Sequence, residues 1–320
     1  MNESDAMKVY GGQTIKMWVG KVAVLILVGF VFLWPAPMLG GDRLGQAVAA
    51  ALHWPVFFAL TVFWLHGLRA GSVRHVALLV GLPFLIEGLQ HFTGRNPSLY
   101  DALIGLGAVG AGWVVSRPPG SAGEVRLGAQ IVVFGVTLGV ALWPIADIGV
   151  DRWAMHRDFP VLAPFEHPRE MGRWSLRGVT VESVSAGELR IVVTDESVDY
   201  PGLFMTDTIA DWSGFDTLLL EVELDDGEPL QGWVRIDDRL NPPYDQRFQK
   251  SVELTAGVNL VRVPGLRGLR DESGRSMDMK TIKQWGLFFD QDARGRTLLM
   301  RRAILEDANT NESATSGIYG

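Results

Sequence analysis

The hydrophobic pattern of the chain changes near residue 148. Before this point long runs of Leu, Val, Ala and Gly are broken by short polar turns, and after it short apolar runs are bounded by Asp, Arg and Gly. Long apolar runs are typical of membrane-spanning helices, and short ones of β-strands. We therefore predict a multi-domain chain: an all-α polytopic membrane domain at 1–148, a connector at 149–168, an all-β domain at 169–306 and a disordered tail at 307–320.

The apolar runs of the first half predict about five transmembrane helices. They cover about Met17–Leu39, Leu44–Leu68, His75–Phe92, Ser98–Val115 and Leu127–Ile148. No small-residue cleavage pattern follows the first run, so we interpret it as a span and not as a signal peptide. Basic residues are concentrated on one side of these spans, and the positive-inside rule places that side in the cytoplasm. We expect a multi-pass protein of the cell inner membrane with a cytoplasmic N-terminus and a periplasmic or extracellular C-terminal domain.

The second half contains short segments rich in β-branched and aromatic residues. They are GRWSLRGV, ELRIVVT, FDTLLLEVEL, GWVRIDD, RFQKSVEL, NLVRVP, QWGLFFD and TLLMRRAILE. Such segments, separated by turn residues, are typical of an all-β sandwich. One helical turn is predicted at Met277–Lys283. Trp212, Trp233 and Trp285 each adjoin an apolar strand, so we expect these three rings to pack in the core.

Polar and ionisable residues interrupt the third and fourth predicted spans. Glu87 and Gln90 are three residues apart and share a helix face, Arg95 follows in a turn, and Asp101 opens the next apolar run. His53, in the second span, is expected at a similar depth. Ionisable groups in hydrocarbon are costly, so such residues are usually functional or paired. Two interpretations remain open: a site for a polar envelope ligand such as a lipid-linked sugar phosphate, or an internal ion pair that fastens two spans.

The residues Glu87, Gln90, Arg95 and Asp101, followed by a glycine-rich helix, match in order and spacing the pattern of the VanZ-like family of small polytopic membrane proteins. The resemblance covers about the first 120 residues. It implies a polytopic membrane architecture for this part of the chain. The chain departs from the family pattern at Gly105, where an asparagine is usual.

The second half resembles the galactose-binding-like jelly rolls, which include many carbohydrate-binding modules. The resemblance lies in the turn Trp212–Asp216, the strand and turn from Arg247 to Asn259, and the segment Trp285–Asp290. It implies a jelly-roll sandwich and, less specifically, glycan binding.

One polar loop of the second half has a composition suited to sugar recognition. Its candidate ligand-binding residues are Asp237, Asp238, Arg239, Tyr244 and Arg247. An aromatic ring can stack on sugar CH groups while charged side chains bond the hydroxyls. The alternative, a long solvated hairpin loop, is the commoner use of such a segment, and we favour it at about two to one.

The remaining composition narrows the function. A formal net charge of −7 argues against nucleic acid as a partner, and the absence of cysteine excludes disulfides and thiolate chemistry. No H-E-x-x-H, G-x-S-x-G or P-loop motif is present, so we predict no catalytic residue, metal or cofactor. We expect a non-catalytic envelope protein whose partners are membrane lipid, a glycan or lipid-linked sugar, or another envelope protein. The alternatives are an enzyme or transporter of lipid-linked envelope precursors and a scaffold of a polysaccharide assembly complex.

Overall fold

A computed structural model of the chain describes residues 42–68, 73–93, 97–116, 123–185, 187–194, 197–225 and 227–307. The chain divides into two compact units, Met1–Ala146 and Asp147–Gly320. The predicted span Met17–Leu39, the candidate residue Arg95 and the predicted tail after Asp307 lie outside the described residues.

The described part of the first unit is helical. Its helices are α1 (Arg43–Ala51), α2 (His53–Leu68), α3 (Val73–Gln90), α4 (Leu99–Val115) and α5 (Gly123–Asp158), which continues into the second unit. The second predicted span is therefore two helices that meet at Leu52. The fifth predicted span does not end at Ile148, because its helix continues to Asp158 through residues that were predicted to form a connector.

Four of the five predicted spans fall on described residues, and this number is wrong there, because two helical stretches of the described residues are long and apolar enough to cross a membrane. These are Arg43–Leu65 and Leu127–Asp158, whereas the apolar helices His75–Gln90 and Leu99–Val115 are shorter. A helix rises 1.5 Å per residue, so about 20 residues are needed to cross a hydrocarbon layer of about 30 Å. The composition of the third and fourth runs was apolar, but their length falls below that requirement.

Small residues on α4 allow it to pack closely against α2. A Cβ atom at Gly105 would lie 2.9 Å from the ring of Phe57, and one at Gly112 would lie 2.8 Å from Cβ of Thr61. Ala108, one turn from each glycine, is fully buried. The VanZ-like pattern has asparagine at position 105. Here the ring of Phe57, on the neighbouring helix, occupies the space that such a side chain would need.

The second unit is an antiparallel β-sandwich. Its strands are β1 (Val161–Ala163), β2 (Trp174–Arg177), β3 (Val179–Ser185), β4 (Glu188–Val193), β5 (Gly202–Met205), β6 (Thr217–Leu224), β7 (Leu230–Asp237), β8 (Phe248–Leu254), β9 (Gly257–Pro264), β10 (Gln284–Phe289) and β11 (Thr297–Glu306). Sheet A has the order β3-β4-β11-β6-β9, with β1 also paired to β11, and sheet B has the order β2-β5-β10-β7-β8.

The predicted β segments correspond to β2, β4 and β6 to β11, and the sequence did not predict β1, β3 and β5. The helical turn predicted at Met277–Lys283 is wrong, because this stretch contains a turn and bends but no helix. Met277, Met279 and Ile282 are buried in the sandwich core. Core packing of these three side chains, at spacings of two and three residues, produces the apparent helical pattern.

The core lies between the two sheets and includes Trp212 and Trp285, both fully buried as predicted. Strand alternation places the other core side chains: in β7, Leu230, Val234 and Ile236 face the core, and Gln231, Trp233 and Arg235 face outward. The outward residues of sheet B form the surface considered next.

Candidate functional site

A groove of about 290 Å³ lies on the outer face of sheet B. Its lining combines aromatic rings, guanidinium groups, an amide and one carboxylate. The lining residues are Arg177, Tyr200, Phe204, Trp233, Arg235, Tyr244, Arg247, Gln249, Phe288 and Asp290.

Strand register brings these side chains into rows across the sheet. In one row Phe204 of β5 pairs with Gly286 of β10, which pairs with Arg235 of β7, which pairs with Gln249 of β8. Because side chains alternate between the faces of a strand, the next outward row lies two residues away. There Gly202 of β5 pairs with Phe288 of β10, and Phe288 pairs with Trp233 of β7.

Two glycines leave room for the rings of this surface. A Cβ atom at Gly286 would lie 2.6 Å from Cδ1 of Phe204, and a Cβ atom at Gly202 would lie 2.5 Å from Cβ of Phe288. The backbone oxygens of Leu203 and Leu287 lie as close to these two Cβ positions or closer, so a larger side chain at either glycine requires the backbone as well as the aromatic residue to move. Each phenylalanine therefore occupies the space beside a glycine on the adjacent strand.

The rings form a nearly parallel series. The ring centroids of Trp233 and Phe288 are 5.5 Å apart at an interplanar angle of 15°, and those of Phe288 and Phe204 are 6.1 Å apart at 27°. Tyr200 stands almost perpendicular to Phe288, at 88° and 6.2 Å. The middle of the groove is thus an aromatic surface that extends across three strands.

A buried carboxylate fixes the central guanidinium group. Arg235 Nε donates to Asp237 Oδ2 at 2.9 Å, and its Nη2 lies 2.6 Å from the same oxygen. Gln284 also donates to Asp237, which is fully buried. The guanidinium carbon of Arg235 is 5.7 Å from the centroid of Phe204, within the range of a cation–π contact. Asp237 therefore orients Arg235 on the aromatic surface.

At the edge of the groove, Arg247 Nε donates to the carbonyl oxygen of Pro242 at 3.0 Å, and its guanidinium carbon is 5.8 Å from the centroid of Tyr244. Tyr244 is 65% exposed and Tyr200 is 52% exposed. Large aromatic side chains with this exposure are available for contact with a ligand.

The structure separates the five predicted loop residues. Tyr244 and Arg247 line the groove, and Asp237 lies behind Arg235. Asp238 is buried and accepts hydrogen bonds from both terminal nitrogens of Arg275, at 2.7 and 2.8 Å. Arg239 donates to Gln246 at 3.1 Å and is not among the lining residues.

Trp233 corrects the sequence analysis, because it lies on the groove and not in the core. The other lining residues that the sequence analysis did not identify are Arg177, Tyr200, Phe204, Arg235, Gln249, Phe288 and Asp290. The sequence pattern could have identified the ring residues among them. Strict alternation along β7 assigns Trp233 the face opposite Val234, and the pairs Gly202-x-Phe204 and Gly286-x-Phe288 place a ring and a glycine on the same face.

The predicted polar cluster of the helical unit is assembled from three helices. His53 begins α2, Glu87 lies near the end of α3, and Asp101 is in the first turn of α4. One potential ligand atom from each residue lies within 4.8 Å of the other two. Gln90, on α3, is also buried, and Arg95 lies outside the described residues.

Glu87 connects these helices. Its Oε1 lies 3.1 Å from Nε2 of His53, and its Oε2 accepts a hydrogen bond from the backbone N–H of Ser98 at 2.8 Å. Ser98 is the N-cap of α4, and its Oγ accepts from the backbone N–H of Asp101 at 3.3 Å. The sequence predicts His53 at a depth similar to that of this cluster, and the structure shows its contact with Glu87.

Comparison with solved structures finds carbohydrate-binding modules and agarases. The family 11 carbohydrate-binding module from Clostridium thermocellum, in complex with a β-1,3-1,4-mixed-linked tetrasaccharide, is 12% identical; the match covers 46% of this chain and 95% of that one, at a TM-score of 0.33. The N-terminal cellulose-binding domain of Cellulomonas fimi β-1,4-glucanase C is 13% identical. The match covers 46% of this chain and 93% of that domain, at a TM-score of 0.29.

An exo-β-agarase is 15% identical, with 46% of this chain and 25% of that chain covered and a TM-score of 0.37. The chain thus spans about a quarter of the length of the agarases it matches. No family model and no curated protein matches the chain, so neither comparison supports the VanZ-like resemblance.

Proposed function

We propose that the sandwich binds a glycan in the groove on the outer face of sheet B. The observation that carries the proposal is the nearly parallel series of rings formed by Phe204, Phe288 and Trp233. The CH groups on a pyranose face pack against aromatic rings, and polar groups at the margin bond the hydroxyls. Here Arg235 and Gln249 stand in the same row as Phe204 and supply such groups.

The direction of the glycan follows from the register. The series of rings crosses β5, β10 and β7, and the lining continues to Arg177 on β2 and Gln249 on β8. Adjacent strands are about 4.8 Å apart, so five strands extend over about 19 Å. A short stretch of polysaccharide that lies across the strands would contact the whole series.

Binding is favoured over hydrolysis by the composition of the groove. Glycosidases of the usual kind use two carboxyl groups on opposite sides of the scissile bond. Asp290 is the one carboxylate among the described residues that line the groove. We therefore assign the groove a binding role.

We place this module outside the cytoplasm, and we propose that the helical unit that precedes it in the sequence is embedded in a membrane, with the VanZ-like architecture that the sequence resembles. Within the helix stretch Leu127–Asp158, an 18-residue segment has a mean hydropathy of 2.0, and 11% of its residues are buried. Its exposed apolar side chains include Ile131, Val132, Val136 and Trp143. Exposed apolar surface on this scale is better solvated by lipid than by water. The glycan would then be one that is exposed at the cell envelope.

The test is a glycan array probed with the full-length protein in detergent. The array should include mixed-linkage β-glucan, cellulose and agarose oligosaccharides and acidic polysaccharides. The proposal expects saturable binding to at least one class, and the same detergent with an unrelated membrane protein sets the background. Binding indistinguishable from this background across the array would contradict the proposal.

A further inference from the structure

The geometry points to a Zn²⁺ site in the helical unit, with His53, Glu87 and Asp101 as its protein ligands. This site is separate from the groove of the sandwich and does not depend on glycan binding. The ring of His53 is oriented by backbone carbonyl groups. Its Nδ1 lies 3.2 Å from the carbonyl oxygen of Ala49 and 3.1 Å from that of Ala50.

These two contacts determine which ring nitrogen carries the hydrogen. A carbonyl oxygen only accepts hydrogen bonds, so Nδ1 must be the donor. In the neutral imidazole the other nitrogen, Nε2, then presents a lone pair. A hydrogen bond from one histidine nitrogen to a backbone carbonyl is also the usual way in which proteins orient a metal-binding histidine.

The lone pair of Nε2 faces a carboxylate oxygen. Nε2 of His53 and Oε1 of Glu87 are 3.1 Å apart, and their side chains are 2% and 6% exposed. Oε1 accepts no hydrogen bond within the described part of the chain. Two acceptor atoms in a buried site repel each other unless a proton or a metal ion lies between them, and the convergence of a third ligand group, Asp101, on the same point is what a metal ion needs and a proton does not. Zn²⁺ binds nitrogen and oxygen ligands at about 2.0–2.2 Å, and so fits between atoms at this separation.

Asp101 supplies the third ligand from a different helix. A carboxylate oxygen of Asp101 lies within 4.8 Å of the ligand atoms of both His53 and Glu87. The helix that carries it is held in place, because Gly105 packs against Phe57 of α2 and Ser98 caps the helix start. One imidazole and two carboxylates suit Zn²⁺, and three protein ligands leave a coordination position for water or a ligand oxygen.

No metal site was predicted from the sequence, because the known short metal-binding motifs are absent from it. Motifs such as H-E-x-x-H place two ligands on one helix. Here each ligand comes from a different helix, separated by at least fourteen positions in the sequence. A spacing search does not detect such a set.

The test measures zinc in the full-length protein purified in detergent. The protein is stripped with a chelator, dialysed against Zn²⁺ and analysed for bound metal by mass spectrometry, with the melting temperature recorded before and after. We expect about one Zn²⁺ per chain and a higher melting temperature on loading. His53→Gln and Asp101→Asn should each weaken Zn²⁺ binding by at least 100-fold. His91→Gln, which alters an exposed histidine outside the cluster, should bind as the wild type does.

Glu87→Gln distinguishes a metal ligand from a structural contact. An amide at this position can donate a hydrogen bond to Nε2, and so replaces the acceptor–acceptor contact with a donor–acceptor pair. We expect this variant to melt no lower than the metal-free wild type while it loses Zn²⁺ binding. Wild-type protein that binds no more Zn²⁺ than His53→Gln, or a Glu87→Gln variant that binds Zn²⁺ as tightly as the wild type, would overturn the proposal.

Discussion

The ring of Phe204 occupies the space that a side chain at Gly286 would need: a Cβ atom there would lie 2.6 Å from Cδ1 of the ring. The two residues are directly opposite on β5 and β10. The same relation holds between Phe288 and Gly202, one outward row away. The aromatic surface of the groove therefore depends on two glycines as much as on the rings themselves.

The first prediction concerns Gly286→Ala. The added methyl group would meet the ring of Phe204 and the backbone oxygen of Leu203, so both the sheet and the ring must shift. Such overpacking costs about 1–3 kcal/mol of unfolding free energy. Thermal melts of the full-length protein should show a lower melting temperature.

Gly268→Ala is the matched control, because no atom lies within 4 Å of a Cβ at that position. It should melt as the wild type does, within about 0.5 kcal/mol. Equal stability of the Gly286→Ala variant and this control would mean that the close contact with Phe204 does not constrain the surface.

The second prediction concerns the charge of the ligand. Arg177, Arg235 and Arg247 line the groove with one carboxylate, Asp290, and a second, Asp237, lies behind Arg235. The net charge of these five side chains is positive, so an acidic polymer should bind more tightly than a neutral polymer with the same backbone. Carboxymethylcellulose against hydroxyethylcellulose, and dextran sulfate against dextran, are suitable pairs for affinity electrophoresis. The advantage of the acidic partner should fall as salt rises.

Arg177→Gln should reduce this advantage, because it removes an exposed charge at the β2 edge of the groove. Arg302→Gln removes an exposed arginine from sheet A and serves as the control. If both variants reduce binding to the same extent, the effect comes from net charge and not from the groove.

The third prediction concerns pH. Hydrogen bonds from Arg275, together with the backbone N–H of Asp278, lower the pKa of Asp238 below its ordinary value. A carboxyl group with a depressed pKa in the folded state stabilises the fold fully above its unfolded pKa of about 3.9. That contribution is lost as pH falls through the folded pKa. The stabilisation should therefore be constant from pH 7 to about pH 5 and decline below about pH 4.

Asp238→Asn measures this contribution. It should lower the unfolding free energy near neutral pH by about 1–3 kcal/mol, the range for hydrogen bonds to charged groups. The difference from wild type should narrow in melts below about pH 4. Asp292→Asn, at an exposed position, should match the wild type throughout. If the difference in unfolding free energy between the wild type and Asp238→Asn stays constant down to pH 3, the charge of Asp238 is not the source of the stabilisation.

The fourth prediction concerns topology. From the distribution of basic residues we predict that the N-terminus lies in the cytoplasm and the sandwich on the other side of the membrane. A reporter that is active only outside the cytoplasm, fused after Glu306, should be active, and a cytoplasmic reporter fused there should be silent. The reverse result would mean that an even number of spans precedes the sandwich.

The sandwich could be predicted from the sequence because its long strands contain enough alternating residues to be recognised. Strands such as β5, Gly202–Met205, are too short to give a pattern. The groove was predicted only in part, because a loop rich in charges was easier to recognise than the outward face of strands. Trp233 was assigned to the core from its apolar neighbours, although residues next to each other on a strand face opposite sides.

In the helical unit the sequence identified the right polar residues but not their arrangement. Glu87 and Asp101 are close in sequence, whereas His53 reaches Glu87 only through the packing of α2, α3 and α4. The number of spans was overestimated because composition was weighed above length. The two shorter helices contribute the two carboxylates of the cluster, of which that of Glu87 is buried and that of Asp101 is half-buried.

The most direct test of glycan binding is calorimetric titration of the full-length protein with the strongest ligand from the array. Tyr244 is exposed at the groove, so Tyr244→Ala should weaken binding by about 1–3 kcal/mol, the range for stacking of a ring, with no change in melting temperature. Leu260→Ala, an exposed apolar residue of sheet A, is the control and should bind as the wild type does. Unchanged affinity in Tyr244→Ala, or an equal loss in Leu260→Ala, would contradict the assignment of the groove as the glycan-binding site.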